Sequence, residues 1–192
     1  MKSTLSATHV HQTILKTNVS ELTRTTRDEP DYEVLMEYRL NILKSNGFTL
    51  DQIQDVIQTL DPLPGALEFL KDLRTRYELI ILSDTFREFA GPLMQKLGFP
   101  TLFCHELEVI GKSIEGIKLR LGDHKRKTVQ YLQKLNFEVI AAGDSYNDLG
   151  MLKAADHCML FNPPSSLSQE YPDTPEAREY TKLLSFIDSP SK

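Results

Sequence analysis

Cysteine is scarce in this chain: 192 residues hold only two, Cys104 and Cys158, far apart and outside any CxxC pair. They read as thiols kept in a reducing compartment, and a disulfide framework is excluded. Long apolar runs are also missing. None approaches the ~20 residues a membrane-spanning helix needs, so no span is predicted. Positive charge is in deficit, with 22 Lys and Arg against 27 Asp and Glu and a net charge of −5. That balance argues against nonspecific binding to nucleic acid or to a membrane surface. Arginine does not occur before Arg24. The opening stretch MKSTLSATHVHQTILKT is similar to a transit peptide in being Ser/Thr-rich and acid-poor, but it lacks the arginines and has no secretory apolar region. The expected location is the cytoplasm. The last shortage is aspartate, of which the first 27 residues contain none.

What is present is ordinary for a globular protein: 40% hydrophobic and 26% charged residues, enough for one domain with a small cap. Residues 1–24 show no clear period, although Val10, Ile14 and Leu15 suit a short helix. Over residues 30–46, Leu35, Tyr38 and Ile42 recur at helical spacing, as do Met36, Leu40 and Leu43, and Gly47 ends the run. Thr49 is placed to cap a second helix to about Leu60, with Gln52 in capping-box position. Asp61-Pro62-Leu63-Pro64-Gly65 marks a boundary. Three regions follow: an atypical segment 1–24, a helical cap 25–61 and an α/β core 62–192.

Beyond the boundary, helices and strands alternate. Helices are predicted over 66–76, 86–97, 125–135 and 149–155, with a final one near 176–187. Buried strands are predicted at Glu78–Leu82, Phe137–Ala142 and His157–Phe161, and a hairpin over 101–121 around Gly111 and Gly116. Residues 162–175 read as loop. This alternation predicts a doubly wound parallel sheet covered by helices on both faces.

Four constellations carry chemistry. Ser83-Asp84-Thr85 follows an apolar strand and precedes a helix, a setting that favours a phosphate; the same residues also serve as plain helix caps. Lys125 opens a helix, the wrong end for a cation, with Arg126 and Lys127 beside it. A bound anion accounts for it, and so does a solvated basic run. In GDSYND, Gly143 lets the chain leave a strand tightly, and Asp144 and Asp148 lie one helical turn apart with Asn147 between them. Paired carboxylates there suit a hard cation such as Mg²⁺, or else an N-cap and a solvated acid. Arg39 falls inside the apolar stripe of the first helix, where a guanidinium either snorkels or meets a carboxylate.

The order LSDT, then lysine before a helix, then GDSYND resembles the haloacid dehalogenase superfamily. TTRDEPDYEVLMEYRLNIL, ILSDTFREFAGPLMQKLGFPTLFCHELE, DHKRKTV and EVIAAGDSYNDLGMLKAAD resemble, more closely, its phosphoserine phosphatases of the phosphoserine:homoserine phosphotransferase type. The likeness runs from about Lys16 to Ile187. It implies a Mg²⁺-dependent reaction through an aspartyl phosphate, releasing serine and phosphate or passing the phosphoryl group to homoserine. It implies that Ser83, with Asp84 beside it, binds phosphate and that Lys125 neutralises it. Asp144 becomes the metal ligand, Asp148 and Asn147 hold the metal's surroundings and the substrate, and Arg39 pairs with the substrate carboxylate. The expected partner is a small molecule, with no nucleic acid or membrane; a homodimer is compatible with it.

One part of the family pattern is absent. Its first strand ends in D-x-[DE]-G, and nothing here matches. The first acids are Glu21, Asp28 and Glu29, and His9 and His11 do not replace a carboxylate that also ligates the metal. Three readings remain open: a gene model or transcript without its first strand, a non-catalytic homologue that binds phosphoserine, serine or a partner, and an enzyme with a relocated nucleophile. Under the first two, weak or no activity is expected.

Overall fold

The helical period around Leu35 becomes helix α1 (Tyr32–Ser45). Leu35, Met36, Leu40, Ile42 and Leu43 are all buried, each side chain contributing about 1.5–3 kcal/mol of transfer free energy. Gly47, at φ 72°, adopts the left-handed conformation that closes the helix. The structure is a computed structural model that describes residues 32–189. The short helix near Val10, the histidines at 9 and 11, the acids at 21, 28 and 29, segment 1–24 and the first residues of the cap lie outside the described residues.

The described residues divide into two compact units, 32–120 and 121–189. In the first, Thr49 caps helix α2 (Leu50–Gln58) with Gln52 completing the capping box, as its spacing predicts. Gly65 (φ 79°) opens helix α3 (Ala66–Leu73), which is shorter than its apolar pattern suggests. Strand β1 (Ile80–Phe86) leads directly into helix α4 (Arg87–Lys96). It pairs in parallel with β2 (Thr101–Ile110), which turns at Gly111 into antiparallel β3 (Ser113–Lys118). The sheet order is β1-β2-β3. Helix α1 packs on β3, and α2 packs on α4. Lys44 pairs with Glu115 and Lys112 with Asp51, fastening α1 and α2 to the hairpin.

In the second unit, helix α5 (His124–Lys134) packs on α6 (Leu149–Ala154). Strand β4 (Ile140–Gly143) runs parallel to β5 (His157–Phe161), and β5 to the two-residue β6 (Glu176–Ala177). Asp156 accepts the Val139 N–H at 2.8 Å, tying the start of β4 to the turn before β5; that bond holds its carboxyl below the usual range. Helix α8 (Tyr180–Ile187) ends the unit.

Several sequence expectations need correction. The helix expected near 176–187 begins at Tyr180, because Glu176–Ala177 pairs with β5 as a strand. Strand β1 runs on through Ser83-Asp84-Thr85 instead of ending at Leu82, and it is half-buried rather than buried. Strand β4 begins at Ile140, leaving Phe137 half exposed, because Phe137 is held by the end of α5 through its N–H to the Leu132 carbonyl. The supposed loop 162–175 holds a helix, α7 (Ser165–Glu170), seated by the fully buried Leu167. Among the described residues, no helix is long and apolar enough to cross a membrane.

Candidate functional site

In the 121–189 unit the chain leaves β4 at Gly143 and enters a single 3-10 turn, Tyr146–Asp148. Asp148 folds back over this turn. Its Oδ2 accepts the N–H groups of Asp144 (3.0 Å) and Ser145 (3.1 Å) and the Ser145 hydroxyl (2.9 Å). Its Oδ1 accepts Lys125 Nζ at 3.0 Å, and both side chains of that pair are only 9% exposed. Lys125 is therefore neither solvated nor at odds with its helix end: the Asp148 carboxylate offsets it. Next to it, Arg126 pairs with Asp123.

Four donors occupy the two Asp148 oxygens, so this carboxylate shapes the turn and fixes the lysine. Asp144 is half-buried at the strand end, and Asn147 is exposed within the 3-10 turn. The donors of this turn are hard oxygens, as a hard divalent cation requires. Ser145 adds to the residues the sequence predicts; its signal is the capping-box spacing to Asp148 three residues later. A hydrogen bond from the Tyr146 hydroxyl to Glu170 (3.0 Å) fastens the turn to α7.

In the 32–120 unit, Ser83 is buried and its Oγ accepts the Thr85 N–H at 3.3 Å. Neither Ser83 nor Asp84 caps α4. Phe86 occupies that cap position without a side-chain bond, so the helix-cap reading of these residues fails. The ladder breaks at this point. Leu82 pairs with Phe103 and Phe86 with His105, so three residues of β1 stand opposite Cys104 alone. Such a break re-aims the side chains within it. Arg39 is half-buried on the apolar face of α1, its Nε enclosed. Cys104, on β2, is buried; burial pushes its thiol up, Arg87 and Arg120 partly opposing.

A model of the haloacid dehalogenase-like hydrolases matches residues 6–156. The chain belongs to that family. It is 50% identical over 169 residues to the phosphoserine phosphatase ThrH of Pseudomonas aeruginosa, covering 88% of this chain and 82% of the relative. A phosphoserine phosphatase of Pseudomonas syringae pv. tomato is 48% identical over 169 residues, covering 88% and 71%. Among solved structures, a substrate-bound phosphoserine phosphatase complex superimposes with a TM-score of 0.75 at 20% identity, over 92% of this chain and 90% of the other. A haloacid dehalogenase family hydrolase from Salmonella enterica gives 0.78 at 20% identity, over 95% and 66%. The fold is thus that of the family the sequence resembles, and the family is generally metal-dependent.

Proposed function

We propose that this chain carries the phosphate-handling residues of a cytoplasmic, Mg²⁺-dependent phosphoserine phosphatase, with O-phospho-L-serine as ligand and homoserine as an alternative phosphoryl acceptor. The 50% identity to ThrH carries this reading. The buried Lys125 ammonium, held by a carboxylate beside a polar turn, supports it. In this reading Asp144 would hold the Mg²⁺, which when bound offsets the negative charge of the phosphate. Lys125 supplies a positive charge to the phosphoryl oxygens. Asp148 fixes that ammonium and the two amides of the turn, and Asn147 reaches the substrate from the exposed side. Ser83 uses its lone pair on Thr85, which leaves its O–H proton to donate to a phosphoryl oxygen. Arg39 pairs with the substrate carboxylate.

Residues 1–27 hold no aspartate to act as nucleophile. These 192 residues by themselves are therefore proposed to bind phosphoserine and to turn it over weakly or not at all. Phosphate release from L-phosphoserine, with Mg²⁺ and with EDTA, tests this alongside calorimetry at millimolar ligand. Binding heat with negligible release is the expected result. Brisk Mg²⁺-dependent release would show that a nucleophile is present. Neither heat nor release from a folded chain would overturn the phosphoserine reading.

The carboxylate clamp has its own test. Arg39→Ala should weaken L-phosphoserine about tenfold or more, the worth of a charge-assisted hydrogen bond. It should barely affect phosphoethanolamine, which has no carboxylate. Equal losses for both ligands would remove Arg39 from that role.

A further inference from the structure

We propose that His105 is a positioning residue for Asp84, acting as a neutral N–H donor that sets the irregular part of β1 carrying Ser83; its functional part rests on the reading above. The ring is 3% exposed, and its Nδ1 accepts the Arg120 N–H at 3.2 Å. A neutral imidazole that accepts at Nδ1 carries its proton on Nε2, so the tautomer is set by the main chain. A ring nitrogen of His105 and a carboxylate oxygen of Asp84 lie within 4.8 Å of each other, a span that one water or a small side-chain adjustment bridges.

The ring cannot easily drift. Arg120 Nε donates to the Cys104 carbonyl at 2.9 Å, and its guanidinium also donates to Glu106 at 3.2 Å. On the same strand, Glu88 accepts the Leu107 N–H at 2.9 Å. The ring of Phe86 lies 6.3 Å from that of His105. Residues 104–107 are thus held by bonds from two directions at the point where β2 leaves β1 and joins β3. His105 stands opposite Phe86, immediately after the break in which Ser83-Asp84-Thr85 leave the ladder.

The function of this arrangement follows from charge. The carboxylate of Asp84, next in sequence to Ser83, repels a phosphate brought to that hydroxyl. A fixed, uncharged donor engages Asp84 and holds that charge in one place without adding a second buried charge. A charged lysine or arginine in place of His105 would also engage Asp84, but at the expense of burying a charge.

Two measurements test the proposal. Long-range ¹⁵N–¹H NMR of the whole chain should show His105 with its proton on Nε2, and Asp84→Asn should shift that Nε2 signal while leaving Nδ1 an acceptor. A proton on Nδ1, or no response to Asp84→Asn, overturns the proposal without reference to any ligand. Calorimetry with L-phosphoserine then compares two variants. His105→Leu should bind about tenfold more weakly, as for one lost hydrogen bond. His105→Gln, which keeps an acceptor and a donor, should recover most of that loss. Equal loss in both variants marks a packing role only and overturns the proposal. If the unaltered chain binds no phosphoserine, the functional reading fails, and the NMR result alone decides the role of His105.

Discussion

Replacing Lys125 with methionine should destabilise the protein by about 3–5 kcal/mol, the usual effect of removing one partner from a buried ion pair. Methionine has a similar length and shape, so packing is largely kept and the loss is electrostatic. The Asp148 carboxylate would stay 9% exposed with no cation, yet its three remaining donors hold it in place. Urea unfolding of the variant measures the effect. A companion Asp148→Asn, with the double variant, closes a thermodynamic cycle whose coupling energy isolates the pair. A loss below about 1 kcal/mol would put the pair in the class of solvated surface bridges and contradict its burial.

Gly143→Ala should lower stability by about 1–3 kcal/mol or more, as overpacking does. An added Cβ would stand 2.5 Å from Asp148 Cβ and 2.8 Å from its Cγ and Oδ2. Either Asp148 withdraws from the turn or β4 shifts away from β5. In both cases the Asp144 and Ser145 amides lose their acceptor, and their NMR shifts should move together with the fall in melting temperature. Gly150→Ala is the control. Its Cβ meets nothing nearer than 3.6 Å, and alanine is the better helix former, so stability should hold or rise by about 0.5–1 kcal/mol. Similar losses at both positions would show that close approach is not what Gly143 provides.

Local signals with one physical cause were easy to read from the sequence. Thr49 and Gln52 satisfy helix-end amides over three residues, and His157–Phe161 forms a strand with the bounds its apolar run suggests. Signals that depend on distant partners were misread. Lys125 looked misplaced because its carboxylate lies 23 residues along the chain. Helix α7 was hidden because Pro163-Pro164 and three serines suggest loop, while burial of the single Leu167 decides the outcome. The turn chemistry of Ser83 and Asp84 predicts an end of β1 at Leu82, yet its pairing with β2 resumes at Phe86. The polar residue types at Ser83, Lys125, Asp144 and Asp148 were plain in the sequence. The structural service of Asp148 and the place of His105 were not, since each needs the folded chain to bring in a donor.

The Asp148 carboxylate ties inheritance to architecture. The atoms that this family's likeness would assign to chemistry are the same ones that close the turn, seat a buried lysine and forbid a side chain at Gly143. Selection against unfolding alone then acts to keep Gly143, Ser145, Asp148 and Lys125 in a lineage, because a loss of a few kcal/mol is a large part of a protein's marginal stability. A descendant can give up turnover and still pass on an intact signature.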